Sequence, residues 1–166
     1  DPGDGRALEA AGAHLLPAGE APFHFGRVLS DFAAAHPGQG LAYFGGASAP
    51  LVTPELLGPL FDTARKAEAP LAQVNNFHST DWMVLSHADS LAGRIDDLTA
   101  DNPLGWILEH DAGIRTLGLP PGGGTRADID TPSDLLLLEG HPALGPAMRG
   151  FLGAAPDDLL EKMRAL

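Results

Sequence analysis

Apolar positions along this chain switch repeatedly between a helical and an extended period. Phe25, Val28, Leu29 and Phe32 recur at helical spacing, so residues 23–35 predict an amphipathic helix, which His36-Pro37-Gly38 stops. The short apolar run Leu41 to Phe44, bounded by glycines, predicts a buried strand. Thr53-Pro54-Glu55 then marks a helix start: Thr as N-cap, Pro in the first helical position and Glu near the positive end of the dipole. Leu56, Leu57, Leu60 and Phe61 give that helix its apolar stripe. Leu71 to Val74 predicts a second strand, which runs into the polar segment 75–82 before Met83-Val84-Leu85 turns apolar again.

Further on, residues 88–98 predict a helix, and Asn102-Pro103 opens another with Leu104, Ile107 and Leu108 inward. Ile114 to Leu117 predicts a strand. A Pro-Pro-Gly-Gly-Gly loop at 120–124 precedes a polar strand over 126–130. Thr131-Pro132-Ser133-Asp134 is a second helix start, with Asp134 spaced to close a capping box ahead of Leu135 to Leu138. Helical stretches at 6–11, 142–152 and 156–166, and an apolar run at 13–16, complete the pattern. Strands alternating with helices predict an α/β fold with a mostly parallel sheet. Ligand sites in such sheets lie beyond the C-terminal strand ends. Three segments qualify: 45–52, 75–82 and 128–131.

Composition narrows the chemistry. With 10 basic and 22 acidic residues among 166, the net charge is −12, a field that repels a phosphate backbone and argues against a nucleic-acid partner. The absence of cysteine excludes disulfides, thiolate metal sites and a Cys nucleophile. No apolar stretch approaches membrane-spanning length, so no membrane partner is expected. The 21 Gly and 15 Pro residues make close to a fifth of the chain and predict many loops rather than a repeat. No H-E-x-x-H or other tight His pair supports zinc.

Each candidate segment has two readings. Gly45 and Gly46 let backbone amides approach a ligand, with Ser48 beside them, or they form a tight turn feeding a capped helix. The segment is not a Walker loop, and Gly46-Ala47-Ser48-Ala49-Pro50 lacks the last glycine of a nucleophile elbow. Asn75, Asn76, His78, Ser79, Thr80 and Asp81 form the densest run of hydrogen-bonding groups. Within it, His78 and Asp81 are spaced to pair as a base and its orienter, and the alternative is a side-chain-stabilised turn. Asp128 and Asp130 stand at strand spacing, so both carboxylates face one side and can hold Mg²⁺; alternatively Asp130 merely favours the dipole of the next helix.

Two segments carry a family resemblance. Ser48-Ala49-Pro50-Leu51-Val52-Thr53-Pro54-Glu55-Leu56-Leu57 resembles the D-x-P-hydrophobic-hydrophobic-T-P-E-L-L segment of nucleotidyltransferases with the glycosyltransferase-A type fold. Asp128-Ile129-Asp130-Thr131-Pro132-Ser133-Asp134-Leu135 resembles their later D-x-[DN]-T-P-x-D-L segment. The molybdenum-cofactor guanylyl- and cytidylyltransferases and the phospholactate guanylyltransferases are the small-molecule members it looks most like. Order and separation also fit, over the region 41–138.

The resemblance implies a three-layer α/β/α sandwich forming a single cytoplasmic domain over 1–166. It also implies transfer of a nucleoside monophosphate from a nucleoside triphosphate to a small phosphorylated acceptor in cofactor biosynthesis. Mg²⁺ in the family is held by the Asp of D-x-P and by the Asp or Asn before T-P. Here the second ligand corresponds to Asp130, with Asp128 as helper, while the first position is Ser48. Gly45, Gly46 and Ser48 would line the phosphates, and Asn75, Asn76, His78 and Asp81 the acceptor. The family's first strand and Gly-rich, Arg/Lys-bearing loop have no counterpart before residue 41, so the domain is expected to lack its beginning. A non-catalytic relative that binds a nucleotide, a sugar nucleotide or a protein partner is the alternative, and a hydrolase built on Ser48 and His78 is a third arrangement.

Overall fold

A computed structural model describes residues 22–154. The predicted stretches 6–11, 13–16 and 156–166 lie outside them. The chain folds into helix α1 (Phe25–Ala34), strand β1 (Leu41–Phe44), α2 (Pro54–Lys66), β2 (Leu71–Val74) and β3 (Trp82–Leu85). It continues through a 3₁₀ turn (Ala88–Leu91), α3 (Leu104–His110), β4 (Arg115–Gly118), the one-turn α4 (Gly123–Arg126), α5 (Pro132–Leu138) and α6 (Pro146–Ala154).

The fold is α/β, and its four-stranded sheet is mixed. The order is β1-β3-β2-β4. β3 runs antiparallel to both neighbours, and β2 pairs parallel with β4. The alternation of elements predicts a mostly parallel sheet; one of the three pairings is parallel. The reason is the length of the connection between Val74 and Trp82. Seven residues suffice for a hairpin but not for a parallel crossover, which takes a dozen or more. β1, β2 and β4 nonetheless share one direction, so their C-terminal ends and the start of β3 lie at one edge of the sheet.

Two apolar clusters clamp the sheet. Phe25, Leu29 and Ala33 of α1 and Leu104 and Leu108 of α3 pack with Leu41, Ala72, Val74, Met83 and Leu85. Leu60 and Ala64 of α2 pack with Trp82 and Val84, the alternate positions of β3. Gly26 is where α1 meets the segment after the 3₁₀ turn: its N–H donates to Leu98 O at 2.8 Å, and a Cβ there would lie 1.8 Å from Ile95 O. A third cluster (Leu51, Leu138, Leu144 and Leu152) ties α5 and α6 to the loop that follows β1.

Both Thr-Pro helix starts form. The Thr53 hydroxyl accepts the Leu56 N–H, and the capping box at Thr131 closes through Asp134. Two other expectations are corrected. The helix predicted over 88–98 is a 3₁₀ turn at 88–91 followed by turns and bends. The polar strand predicted over 126–130 is α4 followed by extended chain with a single antiparallel bridge, Ser48 to Asp128. The glycines at 122–124 therefore lead into a helical turn, held by Thr125 Oγ1, which donates to Pro120 O and Gly122 O. Among the described residues, no helix is long and apolar enough to cross a membrane.

Candidate functional site

Four segments meet at the sheet edge where β1 and β2 end. The loop after β1 is drawn tight against the start of β3: Gly45 N–H donates to Asp81 O at 2.8 Å, and the Ser48 hydroxyl donates to Gly45 O at 2.8 Å and to Asp81 O at 3.2 Å. Gly45 allows this approach, since a Cβ would sit 3.1 Å from Asp81 O and 3.3 Å from Ser48 Oγ. Ala49 follows at φ 66°, a left-handed conformation unfavourable for a residue with a Cβ. The loop then meets the extended chain after α4, where Ile129 N–H donates to Ala47 O at 3.2 Å.

The second segment is organised by Asn75, which is buried. Its Oδ1 accepts the Asp81 and Trp82 N–H groups, and its Nδ2 donates to Asp81 Oδ2 and to Thr125 O. Thr80, also buried, donates to Asn76 O and accepts the Gly105 N–H, binding this loop to α3. The third segment supplies Asp101, whose Oδ2 accepts the Tyr43 hydroxyl at 2.8 Å, and Asn102, whose Oδ1 accepts from Ser79 Oγ at 3.3 Å. The fourth supplies Arg126, which donates to Asn75 O, followed by Asp128 and Asp130.

Together they enclose a cleft of about 530 Å³. Gly45, Gly46, Ala47 and Ser48 line one part, and Asn76, Ser79, Asp81, Asp101 and Asn102 another; Arg126, Asp128 and Asp130 complete it. Of the residues named from sequence, Gly45, Gly46, Ser48, Asn76, Asp81, Asp128 and Asp130 are brought together here. Asn75 is not in the lining: its side chain is consumed inside the protein and positions Asp81. His78 is exposed and outside the lining, and it packs against Phe77. The expected His78–Asp81 pair does not form: the Asp81 carboxylate accepts from Asn75, while the exposed His78 ring lies edge-on to Phe77. The Ser48 hydroxyl likewise points to two backbone carbonyls rather than an imidazole.

Ser79, from the hydrogen-bonding run of the second segment, joins the lining, and Asp101, Asn102 and Arg126 complete it without having been singled out from sequence. Local signals existed for Asp101, Asn102 and Arg126. Arg126 closes a Gly-rich stretch in an acidic chain, and Asp101-Asn102 immediately precede a Pro-marked helix start.

The cleft is acidic, with four carboxylates against one guanidinium. Burial pushes the Asp128 pKa up, and the charges of Asp81, Asp130 and Asp134 push it further, against the Ile129 N–H that its carboxylate accepts. Burial and the bond to Asp101 raise the Tyr43 pKa strongly, so this hydroxyl stays a donor. The Asp134 pKa is lowered by the N–H and hydroxyl of Thr131.

Among the described residues, no group of three or more His, Cys, Asp or Glu side chains is arranged to hold a metal. Asp128 and Asp130 both line the cleft and are the carboxylates that would hold Mg²⁺, an ion that takes one or two carboxylates and completes its octahedron with water and substrate phosphates. Burial is the larger cause of the raised Asp128 pKa, and the lesser part, repulsion from the neighbouring carboxylates, is what a bound cation would relieve. No protein-family model, curated protein or solved structure matches this chain.

Proposed function

We propose that the cleft binds a nucleoside triphosphate together with Mg²⁺ and transfers a nucleoside monophosphate to a small phosphorylated acceptor, releasing pyrophosphate. The observation that carries this reading is the joint placement of Asp128 and Asp130 with the Gly45–Ser48 loop in one cleft at the strand ends. The two segments that resemble the nucleotidyltransferases are 80 residues apart in sequence, from Ser48 to Asp128, and they touch through the Ser48–Asp128 bridge. The three-layer α/β/α sandwich of that family is supported by α2 packing on Trp82 and Val84 while α1 and α3 pack with Met83 and Leu85.

Asp130 and Asp128 would hold the ion, which when bound neutralises phosphate charge in an otherwise anion-repelling cleft. Arg126 adds the one cationic side chain of the lining, suited to a phosphate oxygen. Asn76 and Asp81, both in the lining, would orient the acceptor, and Asn75 holds Asp81 in position. Rate acceleration by such a site comes from positioning and electrostatics rather than covalent chemistry.

Calorimetry of the full chain with GTP and CTP tests this. Binding that requires Mg²⁺ is expected for at least one of them, and no binding of either rejects the reading. A second reading, a relative that binds but does not transfer, is favoured by one observation. Ser48 stands where the family has its first metal-binding Asp, and a neutral hydroxyl, its proton directed at Gly45 O and Asp81 O, is a much weaker Mg²⁺ ligand than a carboxylate. Mg²⁺-dependent pyrophosphate release above background would eliminate that second reading.

A further inference from the structure

Beyond the cleft, one exposed face of α3 carries rings at helical spacing. Asn102 lines the cleft two residues ahead of α3, and Trp106 and His110 stand one turn apart on that helix. Gly105, next to Trp106, ties the start of α3 to the loop that lines the cleft, since its N–H donates to Thr80 Oγ1 at 3.0 Å. The Trp106 and His110 rings stack with centroids 3.6 Å apart and planes 13° apart. Phe77 stands edge-on to both at 6.2 Å, and its loop neighbour Asn76 lines the cleft.

The assembly is rigid. Phe77 packs against the main core, and the lack of a Cβ at Gly105 lets the Phe77 backbone press onto α3: a Cβ there would be 2.7 Å from Phe77 O. Trp106 itself is 46% exposed and packs in none of the three apolar clusters, whereas Trp82 is 1% exposed. Core packing accounts for Trp82 and Phe77, whereas close to half of the Trp106 surface remains open to solvent.

We infer that Trp106, with His110 and Phe77 behind it, is a stacking platform for the planar heteroaromatic ring of a ligand whose phosphate lies in the cleft. The inference rests on the reading that the cleft binds phosphate. The ring is either the base of the nucleotide or part of the acceptor, and both present the same π-face to the indole. An aromatic ring stacked on an exposed indole contributes affinity that tolerates different rings, beside a cleft lined by the polar side chains of Asn76, Ser79 and Asn102.

The test uses the full chain with Mg²⁺ and four probes: GTP, CTP, flavin mononucleotide and ring-free tripolyphosphate. The difference in tryptophan emission between wild type and Trp106→Phe reports Trp106, because buried Trp82 emits as well, and calorimetry reports affinity. Ring-bearing probes are expected to quench the emission, and tripolyphosphate to bind without quenching. Trp106→Ala is expected to weaken ring-bearing probes about tenfold and leave tripolyphosphate unchanged, with Trp106→Phe retaining most of the affinity. Loss confined to GTP or CTP assigns the base, and loss confined to flavin mononucleotide assigns the acceptor ring. Equal affinities for wild type and Trp106→Ala across all probes overturn the platform while leaving the nucleotidyltransferase reading intact. Trp106-dependent binding without pyrophosphate release does the reverse, and failure of every probe to bind overturns both.

Discussion

Asn75 grips Asp81 at both ends: its Nδ2 donates to the Asp81 carboxylate at 2.7 Å, while its Oδ1 accepts the Asp81 backbone N–H at 2.9 Å. The same amide reaches Trp82 N–H and Thr125 O, so one buried side chain joins the strand end, the cleft and α4. Removing it leaves several buried polar groups without partners. Asn75→Ala is expected to lower stability by about 2 kcal/mol in urea unfolding and to weaken Mg²⁺-dependent nucleotide binding. Unchanged stability would mean that water replaces the amide and that the strap is dispensable.

Asp128 gives the cleft a pH signature. Its pKa is raised chiefly by burial, so the folded protein holds this proton more tightly than the unfolded chain does. That contribution to stability is full below the ordinary carboxylate range and is lost as pH rises through the raised value. Asp128→Asn keeps an oxygen for the Ile129 N–H and removes the charge. It is expected to raise stability near neutral pH by less than about 1 kcal/mol, to flatten the decline just above the carboxylate range, and to abolish stabilisation by Mg²⁺. Unfolding at acidic and neutral pH, with and without Mg²⁺, measures all three, and a variant that is still stabilised by Mg²⁺ would remove Asp128 from the metal assignment.

Asp134 runs the opposite way. Its pKa is lowered by the N–H and hydroxyl of Thr131 and by the Asp130 N–H, so its contribution is present above the ordinary carboxylate range and is lost as pH falls through the lowered value. Amide exchange at Asp130 and Thr131 is expected to accelerate in Asp134→Ala at neutral pH. The wild-type amides should do the same only in strong acid.

The two glycines after β1 differ in what they permit. A Cβ at Gly45 would crowd Asp81 O and Ser48 Oγ, whereas one at Gly46 would meet nothing within 4 Å. Gly45→Ala is expected to cost about 1 kcal/mol, and Gly46→Ala less than about 0.5 kcal/mol. Thermal unfolding of the pair decides it, and equal losses would show that the loop adjusts freely.

Arg126 is the cationic side chain of an acidic cleft. Arg126→Ala is expected to weaken nucleotide binding about tenfold, the worth of a charge-assisted hydrogen bond, with a smaller effect on stability. Calorimetry with GTP and CTP reads the first and urea unfolding the second; undiminished affinity would place the phosphates elsewhere.

The strands and helix starts were legible because their signals are local. Leu41–Phe44 and Leu71–Val74 are apolar runs between glycines, prolines and polar residues, and each Thr-Pro pair carries its own cap. The reversed direction of β3 was also written locally, in the seven residues between Val74 and Trp82, but the alternation of strands and helices outweighed it. The helical turn at 123–126 was not legible. Glycine is a poor helix former, and here the hydrogen bonds of Thr125 to Pro120 and Gly122 hold the turn. Nor was the fate of 88–98, where close packing on Gly26 replaces a regular helix.

The sequence by itself determined the α/β class, most of the elements, the acidic charge and a pool of polar residues at the strand ends. Period, caps and composition act over a few residues and need no partner elsewhere. Only the tertiary structure decided which of those residues face the cleft. Asn75 and Asn76 are chemically identical neighbours, yet Asn75 is consumed by Asp81, Trp82 and Thr125 while Asn76 lines the opening. Arg126 and Asn75 are 51 positions apart, and Tyr43 and Asp101 are 58 apart. The physical reason is that a buried polar group must find a partner, and the partner's location is set by how the chain crosses the sheet.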